Sequence, residues 1–171
     1  MVRIDYIYDT EKEITECVEK AYTKEKFGSD TIAPLYKLSQ EEYILELWHG
    51  PTCAFKDLAL QLLPYLLTTS AKKVNDGKNT VILVATSGDT GKAALEGFRD
   101  VPDTEILVFY PSEGVSPMQK LQMDSQKGEN VHVCAIKGNF DDAQTGVKML
   151  FGDKELAAQM DGAGFQLSSA N

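Results

Sequence analysis

Thr80-Val81-Ile82-Leu83-Val84-Ala85-Thr86-Ser87-Gly88-Asp89-Thr90-Gly91, TVILVATSGDTG, is the stretch whose reading decides the fold. Its first half, Thr80 to Ala85, is a continuous β-branched and aliphatic run. A strand buried on both faces reads this way, whereas a half-exposed strand alternates apolar and polar residues. Its second half is a polar glycine turn, and Thr90 to Arg99 then carries a helical pattern. The same unit recurs downstream. Glu105 to Tyr110 reads as a second apolar strand. Ser116, Pro117 and Gln119 open a helix, with Ser as cap, Pro at the first helical position and Gln at the box position. Asn130 to Ile136 reads as a third strand and Phe140 to Phe151 as a third helix. Apolar strands alternating with helices imply an α/β fold, three layers in the order αβα, with a parallel sheet covered on both faces. The alternation is most regular over residues 78–151.

Upstream, residues 1–38 read as a leader and an outer helix. Thr10 and Glu13 form a capping-box pattern. Ile14, Cys17, Val18, Ala21 and Tyr22 then make an apolar stripe of helical period, and Gly28 is a stop. The polar face of this helix is expected to be solvated. Tyr43 to Trp48 reads as a strand, with Trp48 in the core. A turn at Gly50-Pro51 leads to an apolar helix from about Phe55 to Lys72. Its leucines cover most of the circumference, which predicts burial, and Pro64 predicts a kink. Asn75-Asp76-Gly77 is a polar turn.

The chain has 171 residues and a net charge of -9. That charge argues against nucleic acid, which needs clustered Lys and Arg. No apolar stretch is long enough to span a membrane, and the residues after Met1 lack the shape of a signal peptide. Cys17, Cys53 and Cys134 are odd in number and show no CxxC spacing, and His49 and His132 stand apart. A reducing cytoplasm, without disulfides or bound metal, fits these residues. Cys53 reads as a small buried residue.

Two places can carry chemistry. At Ala85 to Gly91, a glycine turn joins the end of a buried strand to a helix N-terminus, where backbone N–H groups can cradle an anion. Ser87 and Thr90 add hydroxyl donors. The nucleotide P-loop pattern is absent, because Thr86 sits where the first glycine belongs and Ala93 follows Lys92. An ordinary capped connection without a ligand is the competing reading. The second place is His49-Gly50-Pro51-Thr52-Cys53-Ala54-Phe55-Lys56-Asp57. Here a lysine stands between apolar residues at a helix start. The helix dipole and burial both favour its neutral amine, the form that Schiff-base chemistry uses. A lysine whose stem runs along the surface to water is the competing reading.

HGPTCAFKD at 49–57 closely resembles the cofactor-lysine motif of threonine synthases, H-G-P-T-x-A-F-K-D. These are pyridoxal phosphate (PLP) enzymes of fold type II, the tryptophan synthase beta-like group. ATSGDTG at 85–91 resembles the family's second motif, and PSEGVSPMQKLQM at 111–123 a third block. GNFDDAQ from Gly138 and Leu167 to Asn171 also resemble family stretches. The resemblance implies that 1–77 holds a leader helix, a strand and the lysine helix. It implies that 78–171 is a Rossmann-like subdomain, and the two can pack as one domain. It also implies a piece of a longer enzyme. The cup for the PLP phosphate and the partner of the pyridine nitrogen are expected beyond Asn171, and Gly138-Asn139-Phe140 is expected to be an ordinary turn.

The implied reaction converts O-phospho-L-homoserine and water to L-threonine and phosphate, in a cytoplasmic monomer or homodimer. Lys56 would bind PLP and then move the proton at the substrate Cα. Thr86, Ser87, Gly88, Asp89 and Thr90 would bind the substrate carboxylate. Asp89 would also lie near the cofactor's ring oxygen, and would need a proton or a nearby cation there. Ser116 and Lys120 are weaker candidates for the substrate phosphate, with Ser116 better read as a helix cap. His49 is read as a hydrogen-bond partner of the motif turn. The alternatives are a related phospho-lyase, separated by product analysis, and a folded piece without catalytic activity.

Overall fold

The computed structural model describes residues 11–74 and 77–170. The expected Thr10 cap, the Asn75-Asp76 part of the expected turn and Asn171 lie outside the described residues. Helix α1 (Glu11–Ala21) buries Cys17 and Ala21 and leaves Ile14 and Val18 partly exposed. Short helix α2 (Lys24–Phe27) ends on left-handed Gly28, the predicted stop. Strands β1 (Leu35–Lys37) and β2 (Tyr43–Leu45) form an antiparallel pair. Strand β1 falls within the residues read as leader and helix, and β2 ends before the predicted Trp48. That tryptophan is 50% exposed rather than core, because the chain leaves the strand before reaching it.

The predicted helix 55–72 is two helices, α3 (Asp57–Leu60) and α4 (Leu63–Val74). Pro64 stands in the first turn of α4, where the missing N–H costs nothing, so the proline marks a break instead of a kink. Leu62, Leu63 and Leu66 are only partly buried, because this side of the helix pair faces a cavity. Helix α4 packs against α1, with Cys17 Sγ 3.5 Å from Thr69 Oγ1 and Lys73 paired with Glu13.

The regular α/β block follows: β3 (Asn79–Ala85), α5 (Asp89–Phe98), β4 (Thr104–Pro111), α6 (Pro117–Asp124), β5 (Val131–Ile136) and α7 (Phe140–Gly152). Helix α8 (Lys154–Gly162) and strand β6 (Phe165–Ser169) complete it. The last two were not anticipated, although Asp153 caps α8 by accepting from the N–H groups of Glu155 and Leu156.

The sheet order is β5-β4-β3-β6, and every neighbouring pair is parallel. On one face, Ile82, Val84, Ile106 and Val108 pack against α5, with Leu60 of α3 and Met123 of α6. On the other, Leu83 and Ala85 meet Ala143 and Val147 of α7. This is the two-sided cover that the continuous run 80–85 requires. Gly97 on α5 admits the backbone of α3: a Cβ there would lie 2.1 Å from the Leu60 carbonyl oxygen. The segment bearing Lys56 is thereby docked on the sheet's helical layer.

Candidate active site

Lys56 occupies the N-cap position of α3, with right-handed backbone and no side-chain cap. The turn before it is held from within. The Cys53 N–H donates to the Gly50 carbonyl at 3.0 Å, and the Asp57 N–H donates to the Ala54 carbonyl at 2.9 Å. Cys53 adopts φ 58°, a left-handed conformation uncommon for a side-chain-bearing residue, and it is exposed rather than buried. The Asp57 carboxylate is buried and accepts both the Thr52 N–H, at 2.8 Å, and the Thr52 hydroxyl, at 2.6 Å. Gly50 makes room for it: a Cβ there would lie 2.4 Å from Asp57 Cβ. Burial pushes the Asp57 carboxyl above its usual range, and the bonds from Thr52 oppose that shift. Asp57 therefore ties the turn to the helix start and sets where Lys56 stands. The Lys56 ammonium lies 4.9 Å from the centroid of the Phe55 ring.

The glycine loop closes on a different side chain. Thr86 is 1% exposed, and its hydroxyl oxygen accepts the N–H groups of Gly88, at 3.0 Å, and Gly91, at 2.8 Å. Gly91 packs directly on it, since a Cβ there would lie 2.4 Å from Thr86 Cγ2 and 2.9 Å from Val108 Cγ1. The Thr86 hydroxyl and the Gly88 N–H thus serve the loop itself. The N–H groups of Ser87, Asp89 and Thr90 meet no acceptor among the described residues.

Both segments border one cavity of about 570 Å³. Lys56, Thr86, Ser87 and Thr90 line it, and Leu63, Leu66 and Phe140 make an apolar wall. Ala170, just past the end of β6, lines it too. Strand order reverses at β3, with β4 and β5 on one side and the later β6 on the other. The cavity therefore sits at the carboxyl ends of strands beside a topological switch point, where open α/β sheets bind ligands.

Gly88 and Asp89 are not part of the lining. Asp89 accepts a 2.9 Å hydrogen bond from Gln119 Nε2. Its partner here is a neutral amide donor instead of the expected proton or cation. Gln119 also accepts the Ser116 N–H, at 3.1 Å, while the Ser116 hydroxyl accepts the Gln119 N–H, so Ser116 is the cap that its sequence pattern predicts. Gln119 fills the space beside Gly88, where a Cβ would lie 2.4 Å from its Cδ. The sequence pattern 116–119 signals the cap alone; the contact with the glycine loop spans thirty residues of chain. Lys120 is exposed and does not line the cavity. His49 pairs with Glu46 at 2.6 Å and stacks on Trp48, so its partner is not the motif turn.

Gly138-Asn139-Phe140 is an ordinary turn. The Asn139 N–H donates to Asp142, and the Asp142 N–H donates back to Asn139, which leaves no cradle for a phosphate.

No family model matches the chain. Threonine synthase from Pseudomonas aeruginosa is 49% identical over 128 residues, 75% of this chain and 27% of that protein. Threonine synthase from Eremothecium gossypii is 42% identical over 164 residues, 88% of this chain and 32% of that protein. The crystal structure of PLP-bound threonine synthase from Brucella melitensis superposes with a TM-score of 0.81 at 40% identity, covering 94% of this chain and 32% of its own. The chain is a homologue of the threonine synthase family. Its α/β fold is that of the fold type II PLP enzymes. It spans about a third of the length of the threonine synthases it matches.

The residues present suit the lysine side of a PLP site. A lysine amine, an apolar wall and a loop with unpaired N–H groups border one space. Among the described residues the Gly138 turn supplies no phosphate cup.

Proposed function

We propose that this chain carries the cofactor-lysine side of a PLP-dependent threonine synthase, which converts O-phospho-L-homoserine and water to L-threonine and phosphate. The observation that carries this reading is the meeting of Lys56 with Ser87 and Thr90 on one cavity at the sheet's switch point. PLP, when bound, supplies an electron sink for carbanions on the substrate. Lys56 holds the cofactor through its Nζ and, once freed by the substrate amine, removes and returns the proton at the substrate Cα. The N–H groups of Ser87, Asp89 and Thr90, with the hydroxyls of Ser87 and Thr90, bind the substrate carboxylate. Leu63, Leu66 and Phe140 exclude water from the reacting end of the cavity. Thr86 and Asp57 act as positioning residues, one for each loop. Ser116 is not assigned to substrate, because its hydroxyl and N–H are spent on its own helix.

The test is to add PLP to the chain and record near-ultraviolet and visible absorption, with Lys56→Ala alongside. A cofactor band that disappears in Lys56→Ala is expected. A band equally strong in the variant overturns the role of Lys56. In a full-length version, product analysis then decides the reaction: threonine and phosphate support it, whereas a keto acid and ammonia identify a phospho-lyase.

A further inference from the structure

Strands β1 and β2 have the composition of interior strands and the surroundings of surface ones. Their register places Leu35 opposite Leu45, Tyr36 opposite Ile44 and Lys37 opposite Tyr43. By alternation, Leu35, Tyr43 and Leu45 share one face of the hairpin, and Tyr36, Leu38 and Ile44 share the other. All six are between 41% and 62% exposed. In β3, a run of the same character has Ile82 and Val84 at 0% and Leu83 at 4%. Strands apolar on both faces belong to a sheet covered on both sides, and here neither face is covered. Among the described residues this sheet has two strands, so each has an unpaired edge. A lone two-stranded hairpin is marginal in water, and an apolar edge invites pairing. Trp48 and Phe55, 50% and 58% exposed, continue the apolar surface along the chain to Lys56.

We propose that β1 and β2 are two strands of a second sheet, completed by an α/β partner that pairs with a hairpin edge and packs apolar helices on both hairpin faces. The partner is the part of the threonine synthase length that this chain does not span. Two arguments select it. The matched threonine synthases are about three times longer, so they carry enough additional chain to build a second layered sheet. A second copy of this chain could extend the hairpin edge to edge, but would leave both faces bare. Its own sheet-flanking helices are committed to the β5-β4-β3-β6 sheet. Because β2 leads through Glu46 to Gly50 directly into the Lys56 turn, docking the hairpin also anchors that turn. The inference does not depend on which reaction the site performs.

The experiment compares Tyr36→Lys and Ile44→Lys in two settings: the chain itself, and a chimera in which it replaces the matched third of the Brucella melitensis enzyme. In the chain itself, the melting temperature is expected to stay within about 2 °C, since these side chains pack on nothing. In the chimera, the same substitutions are expected to lower it by more than about 5 °C or to abolish folding. Equal, small effects in both settings overturn the proposal. A chain that sediments as a dimer, and as a monomer after Ile44→Lys, overturns it in favour of a second copy. If the unsubstituted chimera does not fold, amide hydrogen exchange on the intact Brucella enzyme decides. Aligned hairpin amides protected as strongly as its parallel sheet support the proposal, and rapidly exchanging ones refute it.

Discussion

Two turns at the same edge of the sheet differ in one device. The turn from β3 to α5 and the turn from β5 to α7 both follow a parallel strand. Both contain a glycine at strongly positive φ, 147° at Gly88 and 142° at Gly138, and both open a helix. Before α7, Asn139 and Asp142 bond reciprocally to each other's N–H groups, and the helix start is consumed by its own side chains. Before α5, the N-cap is Gly88, which has no side chain to give. Thr86 braces the loop from the buried side instead, and the outward N–H groups stay available. Glycine marks where a chain can turn; the cap residue decides whether the new helix start can receive an anion.

The largest effect should come from crowding the first turn. Gly91→Val drives two methyls into Thr86 and Val108, and is expected to cost about 3 kcal/mol in urea unfolding. A cost below about 1 kcal/mol would mean that the close packing of α5 on Thr86 is not what shapes this loop. Next, Thr86→Val keeps the shape but strands two buried N–H groups, for an expected loss of about 2 kcal/mol. The matching change in the second turn, Asn139→Ala, removes an exposed cap and should cost about 1 kcal/mol. If Asn139→Ala proved the more damaging of the two, the contrast between a buried brace and an exposed cap would fail. Gly146→Ala, inside α7 where a Cβ meets nothing within 4 Å, should have the opposite sign and stabilise by about 0.5–1 kcal/mol.

The smallest expected effect is a slope with pH. The third turn at this edge uses a carboxylate, Asp57, where the first uses a hydroxyl. Burial raises the Asp57 carboxyl in the folded chain, so the folded state holds its proton to higher pH than the unfolded state. Its contribution to stability is fully present below the ordinary carboxyl value of 3.8 and declines as pH rises from there through the raised value. Stability of the wild type relative to Asp57→Asn should accordingly fall over that window. A flat or rising difference in pH-resolved unfolding would show that the bonds from Thr52 outweigh burial.

Much of the fold was legible because its signals are local. Thr80 to Ala85 reads as a buried strand from its side chains alone, and Ser116-Pro117-Gln119 spells out its own cap. Where the reading missed, a distant contact had the deciding part. The leucines of 58–67 were read as wholly buried, yet several line a cavity, a polarity pattern that burial and ligand walls share. Trp48 and Cys53 read as core by residue type, but one lies past the end of its strand and the other occupies a left-handed turn position. In the site, the motif residues point to Lys56 and the glycine loop, while the tasks of Asp57 against Gly50 and of Gln119 against Gly88 show only in three dimensions.

By itself the sequence determined the α/β alternation, the places of the turns and the likeness of its motifs to one family, because propensity, capping and hydrophobic period act within a few residues. The tertiary structure alone decided that β6 pairs with β3, that strand order reverses there, and that Lys56 and the glycine loop border one space. The reason is physical: ladder hydrogen bonds join backbone groups that every residue carries, so strand order follows from packing whole layers and not from any short stretch of sequence.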